Sequence, residues 1–415
     1  MGVAVAADSV YAQRAYAAGR EFVAGIEAIL PGIAERAMET ELLGRAPDAN
    51  IQAMADAGMF RALVPVRHGG LEIDPASYMA GITQIGTACG SSGWIAGLVS
   101  VHAWQIALMA EQMQQEFWQD GPDARASSSY APTGKVRTVE GGFMISGRWD
   151  FSSGVEHSRW AILGAVVRDA QEGPEFRSFV VPAHDFTIDE GSWQVMGLSG
   201  TGSKSITING EAFVPDYRTH RLIDQHLGTD PGLTVNTGAL YRISWISIFF
   251  CTIAAAAIGA ASGGLNAFVR ETASRVSPAS GLPAVMNPYM HQRLADALLQ
   301  VSTLRERTLQ TWRQMFDVLC TGAAVPRLVR VRSRFEFADV TAGCYAALAG
   351  VFEIAGGNSI NVHRPVQRFL RDLMAMRNHP TATREVFASV YAQAALGLVP
   401  NAFDKSSMGS LALHN

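Results

Sequence analysis

The pattern of apolar and polar positions divides the chain into three stretches. From residue 10 to about 125, alanine-rich runs repeat with a helical period, as over 10–30 and 51–63. Gly58, Pro65 and Gly69-Gly70 punctuate them. Residues 83–89 and 94–108 are strongly apolar and predict buried helices. From Ala126 to about Leu222 the period shortens to two, with β-branched residues and glycine turns. Strands are expected at 135–140, 143–151, 160–167, 177–181, 193–196 and 205–213, with Gly141-Gly142 closing a tight hairpin. From residue 240 to about 402 the helical period returns over 242–275, 288–319, 327–355 and 364–377, and Gly356-Gly357 and Pro380 are the clearest breaks. This order predicts an α+β protein. Its domains are an N-terminal α-helical domain over 1–125, a central small β-barrel over 126–225 and a C-terminal four-helix bundle over 226–415.

Residues 245–261 carry no charge over 17 positions, the lower edge of a bilayer span. Their many alanines, with Ser247 and Thr252, fit a helix buried inside the bundle instead. Apolar residues make up 48% of the 415 and charged residues 17%, enough for a large core and against disorder. A net charge of −4 without a basic run excludes a nucleic-acid footprint. Cys89, Cys251, Cys320 and Cys344 form no CxxC pair, and residues 1–19, interrupted by Asp8 and Arg14, do not read as a signal peptide. A reduced, cytoplasmic protein with no membrane partner is the expectation. There is no GxGxxG after a strand and no GxxxxGK[ST], so neither a nicotinamide-binding unit nor a P-loop is supported. Any oxidoreductase chemistry must draw its electrons from a substrate or a partner. His157, His184, His220, His226, His291 and His363 lack HxxxH or HExxH spacing, and no metal site is expected.

Several places carry candidate chemistry. Trp94, Leu98 and His102 in 93–104 (GWIAGLVSVHAW) fall at i, i+4 and i+8, along one helix face. A lone histidine there is either a satisfied core residue or a ligand group, and its pKa near working pH suits proton exchange. Ser152-Ser153 stand at the turn of 146–164 (SGRWDFSSGVEHSRWAILG), where they either complete a strand end or face a ligand. Val366, Phe369, Leu370 and Leu373 form a buried stripe on a helix that Pro380 must end. His379 then sits just past the helix C-terminus, as a cap or as a reacting group. Ser128, Arg275 and the loop 200–203 (GTGS), with Thr201 and Ser203, offer donors suited to a phosphate, or are simply solvated.

The stretches 57–70 (AGMFRALVPVRHGG), 147–154 (GRWDFSSG) and 197–209 (GLSGTGSKSITIN), the last followed by Phe213-Val214-Pro215, resemble the acyl-CoA dehydrogenase superfamily. The resemblance runs over about residues 20–400. Within the superfamily, 88–105 (ACGSSGWIAGLVSVHAWQ), GRWDFSSG and 371–380 (RDLMAMRNHP) resemble the oxygenase components of two-component, reduced-flavin-dependent aromatic monooxygenases, such as those acting on 4-hydroxyphenylacetate. That likeness implies FMNH2 or FADH2 delivered by a separate NAD(P)H:flavin reductase, with O2 as co-substrate. It implies hydroxylation of a phenolic or indole-like ring through a flavin C4a-hydroperoxide, in a homotetramer. It further implies Ser153 near flavin N5, His102 at the phenol oxygen, Trp94 as a flat wall and His379 at the distal peroxide oxygen. Arg275, with Ser128, Thr201 and Ser203, would hold the cofactor. The alternative is an acyl-CoA dehydrogenase with tightly bound FAD. Its usual Glu-Gly-Thr stretch is replaced here by Arg377-Asn378-His379-Pro380-Thr381, although some members place the base elsewhere. A scaffold that keeps the fold without catalysis is a third reading.

Overall fold

The computed structural model describes residues 9–170, 173–276 and 281–398; the first eight residues of the leading segment and the end of the last predicted domain lie outside them. The chain opens with α1 (Val10–Glu35), α2 (Ala37–Leu43), α3 (Asp48–Asp56), α4 (Pro75–Ala88), α5 (Gly90–Ala107) and α6 (Glu111–Phe117). Ser9 caps α1 by accepting the Ala12 N–H, and Asp74 caps α4 by accepting the Ser77 N–H at 2.9 Å. The helix expected over 51–63 stops at Asp56, because Gly58 takes a left-handed φ of +84° and a short 3-10 turn follows. A single extended residue, Cys89, separates α4 from α5, so the two helices fold back on each other.

The middle of the chain forms β1 (Ala126–Val139), β2 (Gly142–Ser152), β3 (Trp160–Val167), β4 (Glu175–Pro182), β5 (Thr187–Asp189), β6 (Lys204–Pro215) and β7 (Thr219–Arg221). They make one seven-stranded sheet in the order β5-β6-β2-β1-β3-β4-β7, with β5 and β7 at its edges. β1 is the hinge of the sheet. Its first residues run parallel to β3 (Ser128 opposite Ile162), and after a register shift between Ser129 and Gly134 its second half runs antiparallel to β2 (Lys135 opposite Ser146). The two halves close over one apolar core that includes Ile145, Trp149, Leu163, Phe179, Val181 and Ile206. Among the described residues the strands form a curled sheet with β5 and β7 as its edges, where a closed barrel was expected. No strand forms over 193–196. The Trp193 indole N–H donates to the Ser199 carbonyl at 3.0 Å and the Met196 carbonyl accepts from Arg371, so neither serves a sheet ladder.

After α7 (Leu222–Leu227), the chain forms α8 (Trp245–Ala273), α9 (Pro288–Cys320), α10 (Arg327–Phe352), α11 (Pro365–Arg377) and α12 (Arg384–Ala395). α8 packs against α9, α10 and α11, and also against α4 and α5. By length and composition α8 and α10 are both apolar enough to cross a bilayer, but 94% of the most apolar window of α8 is buried inside the protein. It is the central helix expected from its alanines, and it joins the two helical regions through one core.

Candidate active site

Every residue of α5 is buried except Leu98, which keeps partial exposure. Trp94, Leu98 and His102 share one helix face, and the partial exposure at Leu98 makes that face the candidate cleft. Ser128 and Tyr130 of β1, and Trp245 at the start of α8, are likewise only partly buried. His102 itself is 1% exposed. Its Nδ1 lies 2.7 Å from the Ala126 carbonyl, which can only accept, so Nδ1 carries the proton. Burial pushes its pKa down to about 4, against the opposing pull of the Ala126 and Val99 carbonyls. The ring is therefore neutral at working pH. Its Nε2 is a buried lone pair with no hydrogen-bond partner among the described residues. The expectation of a titrating base near pH 7 is corrected: His102 presents a fixed acceptor.

His379 stands 5.6 Å, edge to face, from Trp94. It follows α11, as Pro380 requires, and its backbone N–H donates to the Met376 carbonyl at 3.1 Å, but its imidazole does not cap that helix. Its Nδ1 accepts from the Thr381 backbone N–H at 3.3 Å and lies 2.8 Å from the Thr381 hydroxyl, opening the next 3-10 turn. Burial pushes His379 down to about 4 although an edge of the residue stays exposed. With Nδ1 accepting, the neutral ring carries its proton on Nε2. His379 is a hydrogen-bond donor rather than the cation expected at a helix end. The two histidines thus hold opposite tautomers, assigned from their partners. Trp94 and His102 stand eight residues apart on α5, roughly 12 Å along its axis.

Ser153 is tied to Trp94. Its Oγ accepts the Trp94 indole N–H at 3.1 Å and lies 2.7 Å from Ser203 Oγ, which lies 2.7 Å from Thr201 Oγ1. Thr201 in turn donates to the Leu198 carbonyl at 2.8 Å. The loop that carries Thr201 and Ser203 is seated tightly on α11: a Cβ at Gly197 would meet the Arg371 carbonyl oxygen at 2.1 Å. The Leu198 N–H donates to Asp372 Oδ1 at 2.6 Å. Thr201 and Ser203 therefore spend their hydroxyls on Ser153 and its support, not on an open phosphate site.

Ser128 lies beside Tyr130 at the cleft. Arg275 lies elsewhere. Its guanidinium donates to the carbonyls of Ala355 and, at 3.2 Å, Ile354, closing the end of α10. It lines a cavity of about 690 Å³ with Met286, Tyr289 and Gly356, and none of His102, Ser153 or His379 reaches that cavity.

Sequence reasoning missed one buried relay. Asp230 Oδ1 accepts from His220 Nε2 at 2.7 Å, and Gln105 donates to His220 Nδ1 at 3.2 Å. Tyr130 donates its hydroxyl to Gln105. Tyr130 then meets Trp245 and Phe249 edge-on, with centroids at 5.1 and 5.4 Å, and Phe249 lies 5.8 Å from His102. Gln105, one turn beyond His102, was the one signal available; His220 and Asp230 belong to other parts of the chain.

These environments set a pH dependence. His102, His157 and His379 are all pushed down to about 4, chiefly by burial. Between about 6.5 and 4 the unfolded chain binds their protons and the folded one does not, so stability falls as pH drops through that window. Asp372, pushed up to about 7 by burial, acts oppositely: its folded form holds a proton that the unfolded form has lost, and stability falls as pH rises towards 7. Three groups outweigh one. Urea midpoints are expected to rise from pH 4.5 to 6.5 and to level off towards pH 7.5. Asp372→Asn should make that rise steeper.

Comparison with known proteins follows the same regions. Residues 19–120 match the acyl-CoA dehydrogenase N-terminal domain and residues 251–384 the acyl-CoA dehydrogenase C-terminal domain. The chain is 35% identical over 381 residues to the flavin-dependent monooxygenase oxygenase subunit HsaA of Rhodococcus jostii, covering 90% of this chain and 97% of that one. It is 29% identical over 383 residues to the FADH(2)-dependent resorcinol hydroxylase, oxygenase component, of a Rhizobium species, covering 88% and 91%. The crystal structure of 3-HSA hydroxylase from Rhodococcus sp. RHA1 superposes with a TM-score of 0.87 at 34% identity, covering 92% of this chain and 98% of that chain.

Proposed function

The chain belongs to the oxygenase subunits of the flavin-dependent monooxygenases, built on acyl-CoA dehydrogenase domains, and from that premise we propose how its cleft hydroxylates a phenolic ring. It is an enzyme that takes reduced flavin, FMNH2 or FADH2, from a separate reductase and uses O2 as co-substrate. The observation that carries the residue assignment is the unpaired, buried acceptor His102 Nε2 at the end of the aromatic cleft.

The residues fit a flavin ring on physical grounds. Among the described residues His102 Nε2 is buried without a partner on α5, and Trp94 on the same helix face supplies a flat apolar surface. Ser153 would hold the N5 edge, backed by Ser203 and Thr201, with Ser128 and, from another subunit, Arg275 completing the cofactor site. When bound, reduced flavin would supply the electrons that activate O2, and O2 would supply the oxygen atom that reaches the ring. The chain supplies placement, dryness and proton control. His102 Nε2 accepts the phenol O–H, raising electron density on the ring, and Tyr130, Phe249 and Trp245 hold the ring edge-on. Neutral His379 donates from Nε2 to oxygen at the other end of the cleft. Burial of this face excludes water and limits loss of oxidising equivalents as hydrogen peroxide.

The dehydrogenase alternative needs a carboxylate at the ligand. Of the buried carboxylates around the site, Asp372 faces the Leu198 N–H and Gly90, and Asp230 is bound to His220. We further propose the domain boundaries at 125/126 and 225/226, a homotetramer and a cytoplasmic location.

The test is anaerobic loading with FMNH2, followed by oxygen, with paired phenols and their methyl ethers. Phenols should yield one hydroxylated product per flavin, and the ethers, which cannot donate to His102, should yield mainly hydrogen peroxide. Equal hydroxylation of both members of each pair would end the His102 assignment; no product from any arene would end the whole reading.

A further inference from the structure

The hydroxyl chain behind Ser153 has one allowed direction. The Trp94 indole N–H can only donate, and it donates to Ser153 Oγ at 3.1 Å. At the other end the Leu198 carbonyl can only accept, and it takes the Thr201 proton at 2.8 Å. Thr201 then has no proton left, so Ser203, 2.7 Å away, must donate to it. Ser203 is spent in turn, so Ser153 must donate to Ser203 across 2.7 Å. All three hydroxyls are at most 7% exposed, which keeps water from reversing the order. The terminal carbonyl is itself held, because Leu198 sits at φ +58° and its N–H is bound by Asp372. Ser153 therefore directs its one proton away from any partner in the cleft and offers only a lone pair.

We propose that this one-way relay, Trp94 to Ser153 to Ser203 to Thr201 to the Leu198 carbonyl, makes the site select reduced over oxidised flavin. The inference rests on Ser153 lying at N5. Dihydroflavin carries N5–H, a donor that matches the Ser153 lone pair. Oxidised flavin presents an N5 lone pair, which opposes it and leaves two buried acceptors facing each other. Ser203 and Thr201 are positioning residues: they act on the ligand by fixing which way the Ser153 proton points.

The test is binding, not turnover. Dissociation constants for FMN and, under anaerobic conditions, FMNH2 are measured for wild type and for Ser153→Ala, Ser203→Ala, Thr201→Val and Thr201→Ser. In Ser203→Ala and Thr201→Val the Ser153 proton is released to turn towards N5. The preference for FMNH2 should fall by about tenfold, mainly through tighter FMN binding. Thr201→Ser should keep the wild-type ratio, and in a Ser153→Ala background Ser203→Ala should change nothing further. General damage to the site would weaken both redox forms alike and leave the ratio intact. If Ser153→Ala shifts the ratio while Ser203→Ala and Thr201→Val do not, the relay is refuted and the Ser153 placement stands. If Ser153→Ala leaves both constants at wild type, the placement is wrong and the inference goes with it. Should one variant fail to fold by circular dichroism, the other relay variant decides.

Discussion

Replacing His102 with leucine should lower the rate of ring hydroxylation by about 10²–10³-fold, the range expected for losing one positioned proton acceptor. Leucine fills much the same volume in a site that is 1% exposed, so the fold is expected to persist. Two things vanish with the imidazole: the bond to the Ala126 carbonyl, which ties α5 to the start of β1, and the unpaired Nε2. Only the second bears on the substrate. The expected signature is therefore a split. FMNH2 binding and oxygen consumption stay near wild type, while product per oxygen consumed collapses and hydrogen peroxide takes its place. His102→Gln, which retains an acceptor, should recover part of the yield. Because the ring is neutral above about pH 4, the wild-type yield should show no titration of His102 between pH 6 and 8. A pH profile that breaks near 6.5 and disappears in His102→Leu would contradict the fixed-acceptor role. Wild-type coupling in that variant would remove His102 from the chemistry altogether.

The second large effect is on stability. α4, α5 and α8 approach one another through Gly86, Gly93 and Gly259. A Cβ at Gly259 would stand 2.5 Å from the Thr83 carbonyl oxygen and 2.8 Å from Gly86 Cα, and one at Gly93 would stand 2.5 Å from Gly86 Cα. These neighbours are backbone, so no side chain can swing aside, and the helices must separate. Gly259→Val should destabilise the protein by about 3 kcal/mol or more. The measurement is the urea midpoint, with the slope unchanged. Gly350→Ala is the contrast. It lies in α10 with nothing within 4 Å of the added carbon. There the better helix propensity of alanine should gain up to about 1 kcal/mol. If both variants melt alike, the three-helix contact is not as close as described. α5 also carries Trp94 and His102, so loosening this contact should raise the apparent KM for the arene before it abolishes folding.

Much of this was legible in the residues themselves. Helical periodicity located the long helices of both ends, and the alanines of 245–261 marked α8 as an interior helix. The i, i+4, i+8 spacing put Trp94, Leu98 and His102 on one face, and Pro380 placed His379 past a helix end. Each of these is a local property, decided within a few turns of chain. The failures were equally specific. Trp193 and Met196 looked like strand residues because alternation is all that a short window reveals, and the partner groups that claim them are Ser199 and Arg371. The short edge strands β5 and β7 were missed because three residues carry no period. Thr201 and Ser203 read as phosphate donors because a hydroxyl in a glycine-rich loop advertises only its chemistry, not its partner.

By itself, then, the sequence determined which segments are helical, which are extended, which faces are apolar and which residue types stand ready for flavin and arene chemistry. Only the tertiary structure decided what those groups can do. It turned His102 into an acceptor and His379 into a donor, aimed the Ser153 proton away from the cleft, and linked Tyr130 to Asp230 through Gln105 and His220. The reason is that a proton's position on a hydroxyl or an imidazole is settled by the partner it meets. Those partners come from elements that lie far apart in the chain and adjacent only once the core has closed.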